Sequence, residues 1–404
     1  MPQLNRIALT ALIVAYALGP LATQIVTPAV PFVHADLHVP MATAQALVSL
    51  AFVVIAFATL VYGPLADRLG RRPVLLFGTG VFCVGSLLAS LAPTIGTLLA
   101  GRAMQSAGSA AALSLTRTVI HDVHGRQGSA RVLAQLTTVM AYVPMLAPIL
   151  GGVLIDHVGW RAVFVVGALA GSAALALLAW RLPESRPAST VAPRPRDVLA
   201  NYRALLADPA YRAPALHFAW IMSAVFATQA AIPYLVVDVL GGTATEYGLW
   251  FAAACVCYMA GNQFTARWGD RLTRPRLILA SGLGCLAATA LGAVGLLVFG
   301  LSTRMLFLPT LVLYFFAAVG IAPVQAEAVA AQPSRAGAAS GLLSAVQMVV
   351  VAATVQAIGF AHDGTARPLF VGLFVCTLAA VALYARVPRG AAGEGVTATA
   401  PGRP

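Results

Sequence analysis

The sequence predicts an all-α membrane protein whose helices cross the bilayer many times. Hydrophobic residues make up 60% of the 404-residue chain, charged residues only 9%, and the mean hydropathy is +0.86. About a quarter of the residues in a soluble domain are charged, so this chain has too few charges to cover a water-facing surface. Apolar stretches recur along its whole length instead, which indicates a bilayer as the solvent.

Charges, prolines and glycines divide these stretches into twelve predicted transmembrane spans. Most have about the 20 residues that a hydrocarbon core of about 30 Å requires. The first span continues to Phe32, which is too long for the apolar core of a cleaved signal peptide, so we expect it to be retained. The predicted spans cover residues 7–30, 43–63, 74–92, 97–120, 132–155, 161–181, 213–238, 245–265, 277–299, 304–328, 337–360 and 366–386.

The positive charges predict the orientation of the chain. Every basic residue is an arginine and the formal net charge is +12. If the N-terminus is inside, 20 of the 25 arginines fall in inner segments, and only Arg161, Arg304 and Arg367 fall in outer loops. Cytoplasmic loops are enriched in basic residues, so we expect both termini to be cytoplasmic. This rule explains the charge without a nucleic-acid partner.

A polar segment divides the chain into two halves. Residues 183–212, rich in proline and arginine, form the predicted cytoplasmic linker between six-helix bundles at 1–182 and 213–386. The tail at 387–404 is rich in Gly, Ala and Pro and is predicted to be disordered. The halves also share motifs: D-R-L-G-R-R-P from Asp67 matches D-R-L-T-R-P-R from Asp270, and Arg126-x-Gly128-x-Ala130 matches Arg335-x-Gly337-x-Ala339. Such repeats predict two pseudo-symmetric bundles with a binding site at their interface.

Several classes of chemistry are excluded by residues that the chain lacks. Without lysine there is no Walker A lysine and no Schiff base, and there is no H-E-x-x-H zinc motif. The five cysteines lie inside apolar stretches, where we interpret them as packing residues. We therefore expect a transporter rather than an enzyme, with no metal or cofactor, bound to lipid and a small-molecule substrate.

The loop between the second and third spans carries G-P-L-A-D-R-L-G-R-R-P at residues 63–73. Its glycines permit a tight reversal, and its acid can meet arginines or helix N-termini. The stretch resembles motif A of the major facilitator superfamily, which implies a cytoplasmic gate latch; the alternative is a plain turn held inside by its arginines. Asp122, at the inner end of the fourth span, resembles the acid that pairs with this motif, and Arg71 is its predicted partner. The predicted gate residues are Gly63, Asp67, Arg68, Gly70, Arg71, Arg72 and Asp122.

Two further spans carry motifs of the same superfamily. The fourth span, with Arg102 and Gln105, is similar to motif B, which implies a role in proton transfer. An intramembrane arginine is a functional-site hypothesis by default, and snorkelling to the outer interface is the alternative. The fifth span resembles motif C, which marks antiporters, although Ala147 replaces a glycine of the usual pattern and simple helix packing is the alternative. Its motif residues are Pro144, Pro148, Gly151 and Gly152.

Three shorter stretches narrow the resemblance. They lie at residues 202–206, 336–343 and 362–368, and with the rest of the chain they look like the Bcr/CflA group of drug:proton antiporters. The resemblance implies the major facilitator fold, a monomer in the bacterial inner membrane, and export of amphipathic molecules. Gln24, however, stands where the group carries an acid in its first span. An amide cannot change charge, so Asp238 and Glu327 are further candidates for proton coupling.

The sequence also suggests a substrate cavity lined by amide and aromatic side chains, a composition that suits promiscuous binding. The candidates are Gln24, Tyr142, Gln229, Tyr234 and Gln347. A proton-driven efflux pump is the leading hypothesis. A metabolite exporter, for sugars or amino acids, is the alternative on the same fold, and a membrane receptor or enzyme is a remote one.

Overall fold

The computed structural model describes residues 6–186 and 195–386, and these ranges are helical with no strand. The first half contains α1 (Arg6–Val26), a 3-10 turn (Thr27–Ala29), α2 (Val30–Asp36), α3 (Met41–Leu69), α4 (Arg71–Ser90), α5 (Ile95–Val158) and α6 (Arg161–Arg181). After α7 (Pro195–Ala207), the second half contains α8 (Pro209–Tyr234), a π-helical segment (Leu235–Val239), α9 (Ala244–Trp268), α10 (Arg274–Phe299), α11 (Thr303–Ala330), α12 (Ala336–Phe360) and α13 (Arg367–Ala385).

Length and composition make nine helices of the described residues suitable for crossing a membrane. A helix satisfies its backbone hydrogen bonds internally, as hydrocarbon requires. Two predicted spans, the fourth and fifth, fall together in α5, and only the segment Tyr142–Val158 of that helix counts as a shorter apolar helix. The eighth predicted span corresponds to α9, whose 25 residues are less apolar.

The 64-residue helix α5 must fold back on itself. Arg102 bonds to the carbonyl of Ala22, and a Cβ on Gly151 would lie 2.6 Å from the carbonyl of Ile25. A straight helix would separate residues 102 and 151 by about 70 Å at 1.5 Å per residue, yet both touch the same turn of α1. Ile120 and Val132 also pack in one cluster with Tyr16. The fourth and fifth predicted spans, residues 97–120 and 132–155, therefore form two antiparallel arms of α5, which we call its first and second arm. The predicted break between them is helical.

Helix ends are set by polar side chains and glycines. Thr94 forms a capping box with Thr97 at the start of α5, and Thr243 and Ser302 cap α9 and α11. These side chains accept hydrogen bonds from backbone N–H groups that the helix cannot satisfy itself. At the other ends, Gly159 and Gly300 have positive φ, which lets the chain turn directly into the next helix.

Small residues bring the helices of the first half into close contact. Added Cβ atoms on Gly85 and Gly101 would clash with the backbone of the facing helix, so α4 and the first arm of α5 pack backbone to backbone. Without a hydrophobic force between helices in lipid, such close packing provides their attraction. In the second half, Gly261 of α9 lies against the backbone of Phe315 in α11 in the same way.

The predicted linker is partly a docked helix. Residues 195–207 form α7, whose Leu205 is buried in the core of the second half. Asn201 accepts a hydrogen bond of 2.8 Å from Arg335, at the start of α12. Residues 187–194 of the linker, like the predicted tail at 387–404, lie outside the described residues.

The helix ends lie at two opposite ends of the protein, so the predicted orientation can be tested by cysteine labelling from each side of the membrane. Arg161 bonds to Asp36 and to the carbonyl of Ala92, so these segments share one end of the protein. With the native cysteines replaced, Thr94→Cys and Ser302→Cys should react with a membrane-impermeant maleimide added outside intact cells. Thr273→Cys and Gln332→Cys should react only after permeabilisation. The reverse pattern would contradict the arginine-based orientation.

Candidate functional site

The predicted pair between Arg71 and Asp122 is present at the end of the first half that the arginines predict to be cytoplasmic, here called the inner end. Arg71 Nη1 lies 2.5 Å from Asp67 Oδ1, and its Nε lies 3.3 Å from Asp122 Oδ2. The arginine is only 6% exposed. A guanidinium buried between two carboxylates joins α3, α4 and α5, and we call these three residues the inner latch. Desolvated pairs are sensitive to the loss of either partner.

Glu184, which the sequence did not single out, completes this end. Its carboxylate accepts hydrogen bonds from the backbone N–H groups of Arg71 and Arg72, at 2.8 and 3.1 Å, and so caps the start of α4. Gly70 must be glycine here, because its φ is 104° and a Cβ would lie 2.6 Å from Glu184 Oε2. Partial burial opposes ionisation of Glu184, but the backbone N–H groups of residues 186, 71, 72 and 185 outweigh it and lower its pKa.

The remaining gate residues make fewer contacts than Arg71. Arg186 donates to the carbonyl of Arg68, while the Arg68 side chain is exposed. Arg72 Nη2 donates to the carbonyl of Ala179 at 2.8 Å. A Cβ on Gly63 would meet nothing within 4 Å. The inner face of α3 is therefore unpacked at this glycine.

Arg102 lies in the interior rather than at the outer interface, so the snorkelling alternative is wrong. It is 1% exposed and donates to the carbonyls of Leu47 and Ala22 and to Gln105 Oε1. Gln105 in turn donates to Ser86 Oγ at 2.9 Å. None of these partners is a carboxylate, and Arg102 Nη2 has no partner. The arrangement is a fixed charge that joins α1, α3 and α5.

The motif on the second arm of α5 forms the contact between the halves. The carbonyl of Pro148 faces Gly248 of α9, and a Cβ on Gly152 would lie 2.5 Å from the carbonyl of Ala244. One turn later, Asp156 accepts from the N–H groups of Ala244 and Thr245, at 3.1 and 2.9 Å. The carboxylate of one half thus caps a helix of the other, where the helix dipole favours negative charge. Pro144 of the same motif is partly buried.

Amide side chains close a second contact between the halves at the same end. Ser49 of α3 donates to Gln356 Oε1 of α12 at 2.7 Å, and Gln356 Nε2 donates to the carbonyl of Ala42 at 2.9 Å. Gln45 Nε2 reaches the carbonyl of Ala230 in α8 at 3.3 Å. We call these contacts, together with those of Asp156, the outer seam. These hydrogen bonds join the two halves at the outer end.

The five predicted cavity residues differ in burial, and no described hydrogen bond or ring contact joins any two of them. Gln24 and Gln229 are buried, at 6% exposure each, whereas Tyr142 is 47% exposed. Tyr234 packs edge-to-face on His362, at 4.3 Å between ring centroids, beside a small cavity that Gln45 also lines. Gln347 is partly buried on α12. Gln24 Oε1 has no hydrogen-bond partner, so its amide is a buried acceptor without a donor.

The two carboxyl candidates for proton coupling lie at opposite ends of the second half. Asp238 is exposed in the π-helical segment, with His34 and His362 close enough to act on it electrostatically. Glu327, near the inner end of α11, is partly buried and lies 3.0 Å from Tyr384 Oη through each of its oxygens. Among the described residues, no group of three or more His, Cys, Asp and Glu side chains could hold a metal ion.

Comparison with known proteins identifies the family. The profile of the Major Facilitator Superfamily matches residues 12–355. The chain belongs to the major facilitator superfamily. It is a multi-pass membrane transporter and not an enzyme, as its motifs predict.

Among its relatives, this superfamily member is 28% identical to multidrug resistance protein D of Escherichia coli, over 86% of this chain and 87% of the other. It is 31% identical to a chloramphenicol resistance protein of Pseudomonas aeruginosa, over 68% of this chain and 64% of that one. An uncharacterised transporter of Bacillus subtilis is 26% identical over 89% of both chains.

Solved structures confirm the fold. A bacterial homologue of the human lysosomal transporter Spinster, inward-facing and occupied, superposes with a TM-score of 0.74 at 15% identity and covers 93% of this chain and 95% of its own. The xylose transporter XylE of E. coli, partially occluded and inward-open, gives 0.69 at 13% identity, with 95% and 97% covered.

The Glu184 cap predicts a stability that depends on pH. Glu184→Gln should lower the free energy of unfolding by about 1 kcal/mol, as the loss of a helix cap does. Because the pKa of Glu184 is lowered in the folded protein, this contribution is present at neutral pH and is lost as the pH falls through the folded pKa. Thermal unfolding in detergent at neutral and acid pH measures it. Asp363→Asn, whose carboxylate bonds only to Thr365 in its own loop, is the control; equal losses in both variants would contradict the cap.

The outer seam predicts the effect of one methyl group. Gly152→Ala places a Cβ 2.5 Å from the carbonyl of Ala244, which must move away. Overpacking of this kind costs about 1–3 kcal/mol, so transport should fall and the seam should open. Gly80→Ala on α4, where a Cβ meets nothing within 4 Å, is the matched control. Transport by Gly152→Ala equal to that of the control would show that the two helices do not pack this closely in the working protein.

Proposed function

We propose that the chain is a secondary exporter of amphipathic small molecules, built from twelve spans in two six-helix halves, that exchanges its substrate for protons across the bacterial inner membrane. The arms of α5 supply the fourth and fifth spans, and α9 supplies the eighth. Both termini are cytoplasmic, and the transporter acts as a monomer. No cofactor is needed, since the proton gradient supplies the energy.

The observation that carries this proposal is the contrast between the two ends of the halves. At the outer end, α5 meets α9 backbone to backbone, and hydrogen bonds join α3 to α8 and α12. At the inner end, Cβ atoms on Gly63 of α3 and on Gly337 and Gly341 of α12 would meet nothing within 4 Å. A seam that is closed outside and unpacked inside fits an inward-facing state of an alternating-access transporter.

Switching requires the two ends to exchange roles. When the outer seam opens, Asp156 must leave the N-terminus of α9, and the open glycine faces of α3 and α12 can pack together. The inner latch holds α3, α4 and α5 in register for that packing. Because Arg71 binds two carboxylates, loss of one partner biases the equilibrium between states rather than the fold.

The interior favours neutral substrates. Arg102 is a buried positive charge without a carboxylate partner, and Gln24 offers an amide where a carboxylate would attract a cation. An unpaired cation in the membrane interior is costly. Relatives named for multidrug and chloramphenicol resistance support drugs as the substrate class.

Two measurements test this function. Expression in a pump-deficient host should raise resistance to neutral amphipathic drugs more than to lipophilic cations. In proteoliposomes, addition of a transported drug should drive measurable proton movement. If only sugars or amino acids are exported, the metabolite exporter is favoured. If substrate moves without protons, antiport is rejected.

The amide in the first helix predicts a change of preference. Gln24→Glu places a carboxylate on α1, two residues from Ala22, whose carbonyl binds Arg102, so export of a lipophilic cation should rise relative to a neutral drug. The shape of the pH profile of export should change as well. Uptake into inverted vesicles across pH 5.5–8.5 measures both, with Gln229→Glu as a second buried amide for comparison. If the unmodified protein exports the cation as well as the neutral drug and Gln24→Glu changes neither profile, Gln24 has no part in charge selection.

A further inference from the structure

The inner latch has a sequence counterpart in the second half. Asp270 and Arg274 follow Asp67 and Arg71 by 203 residues each, and Glu327 follows Asp122 by 205. Arg274 begins α10 as Arg71 begins α4, and Glu327 lies near the inner end of α11. The pseudo-repeat therefore places an arginine and an acid at corresponding positions of the two halves.

The arginine and acids of the first half make different contacts from those of the second half. Arg71 is buried and paired with two carboxylates, whereas Arg274 is exposed. The ion pairs among the described side chains are those of Arg71 and of Arg161 with Asp36, so Glu327 is not ion-paired. Arg274 nevertheless lies close enough to act on Glu327 electrostatically. Glu327 is held by the hydroxyl of Tyr384 instead.

This tyrosine can hold Glu327 in both protonation states. The Tyr384 hydroxyl lies 3.0 Å from each carboxyl oxygen and donates a hydrogen bond when Glu327 is ionised. When Glu327 is protonated, its own O–H can donate to Tyr384 Oη, because a phenol oxygen also accepts. The proton can therefore be taken up without moving the heavy atoms. An arginine partner would stabilise only the ionised form.

Most of the other described carboxylates are already occupied by fixed partners. Asp67 and Asp122 bind Arg71, and Asp36 binds Arg161 and Trp160. Asp156, Glu184 and Asp208 cap helices, and Asp363 binds Thr365. Glu246 and Asp238 lie at the outer end, and Asp238 is exposed. Among these described acids, Glu327 is the partly buried one at the cytoplasmic end that neither caps a helix nor has an ionic partner.

A buried histidine lies behind the pair. His217 of α8 packs against the Tyr384 ring, with 5.4 Å between ring centroids, and is 1% exposed. Its Nδ1 lies 3.0 Å from the carbonyl of Ala380, which can only accept, so Nδ1 carries a hydrogen. Its Nε2 has no partner. A second proton acceptor thus adjoins the tyrosine in an otherwise apolar core.

We propose that Glu327 is the proton-binding carboxyl of this transporter, and that it exchanges between Tyr384, which can hold its protonated form, and Arg274, which binds only its ionised form. The proposal rests on the proton antiport proposed above. In the inward-facing state the carboxyl proton passes to cytoplasmic water, and closure of the inner end lets Arg274 bind the carboxylate as Arg71 binds Asp122. In the outward-facing state a proton that enters from the outer side binds the carboxylate, which then leaves Arg274 and returns to Tyr384. The second half then carries a latch that only the ionised form can close.

The surrounding charges are consistent with this exchange. From α13 the group that faces Glu327 is Tyr384, from α8 it is His217 behind that ring, and from α10 it is Arg274. Arg335, at the start of α12, is bound to Asn201 and Gln332. Arg267, at the end of α9, forms no described bond to Glu327. The cation available to Glu327 is therefore Arg274.

The test is proton-coupled transport in proteoliposomes containing chloramphenicol as the probe, followed with a pH-sensitive dye. Glu327→Gln should abolish transport driven by a pH gradient and the accompanying proton signal, while exchange between two substrate pools without a gradient is retained. Asp238→Asn is the control carboxyl and should keep the proton signal. If the unmodified protein transports chloramphenicol but moves no protons with it, proton antiport itself is rejected; if protons move and Glu327→Gln is still coupled, only the role of Glu327 is overturned.

A second variant guards against a folding defect. Arg274 is exposed, so Arg274→Gln should leave the protein folded. Loss of its charge removes the partner of the ionised carboxyl, and the pH midpoint of exchange should rise by about one unit. Arg276→Gln, an exposed arginine two residues on, should leave the midpoint unchanged. Equal midpoints in both variants would overturn the proposed exchange between Tyr384 and Arg274.

Discussion

The absence of water from the bilayer core is the constraint on which this structure depends. Every backbone polar group must be satisfied within a helix, and every charge must either reach an interface or find protein partners. Most charged side chains among the described residues accordingly lie at or near helix ends. Arg102 is instead buried, and it donates hydrogen bonds to two backbone carbonyls and an amide. These hydrogen bonds join three helices of the first half.

The same constraint makes the ends of the helices the place where the two halves can be held or released. At an interface, water can solvate a carboxylate or an amide when its protein partner leaves, so breaking a contact there costs less free energy than in the core. Asp156 at the start of α9 and Gln356 between α3 and α12 are such contacts. In the core, glycine and alanine allow backbones to touch without polar bonds, and helices can slide on these surfaces.

Much of this organisation could be predicted from the sequence. The recurring apolar stretches and the motif at residues 63–73 predict the fold, and the pair of Arg71 with Asp122 follows from the resemblance to motif A. The helical turn-back within α5 could not be predicted, because no proline or glycine pattern distinguishes it from a loop. Glu184, Gln356 and Tyr384 were also missed. Each is an ordinary residue at a helix end, and only the three-dimensional packing gives it a partner in a distant segment.

The candidate site shows the same division. The sequence predicts that Gln24 and Glu327 are unusual, but it does not predict what either residue contacts. The predicted cavity residues are spread over buried and exposed positions, since residue type alone does not decide which face of a membrane helix meets the other half. Carboxylates were easier to place by elimination, because each one in or near the membrane needs a partner, and most of those partners are visible in the structure.

Alternating access of the two halves is the central claim, and paired distances test it most directly. Spin labels at Leu91 and Phe360 report on the outer end, and labels at Leu69 and Leu272 report on the inner end; all four side chains are exposed. Pulsed electron paramagnetic resonance in nanodiscs, at low and high pH with and without substrate, measures both distances. Alternating access predicts that the outer distance lengthens under the conditions in which the inner distance shortens. Two distances that stay fixed, or that change in the same direction, would contradict it.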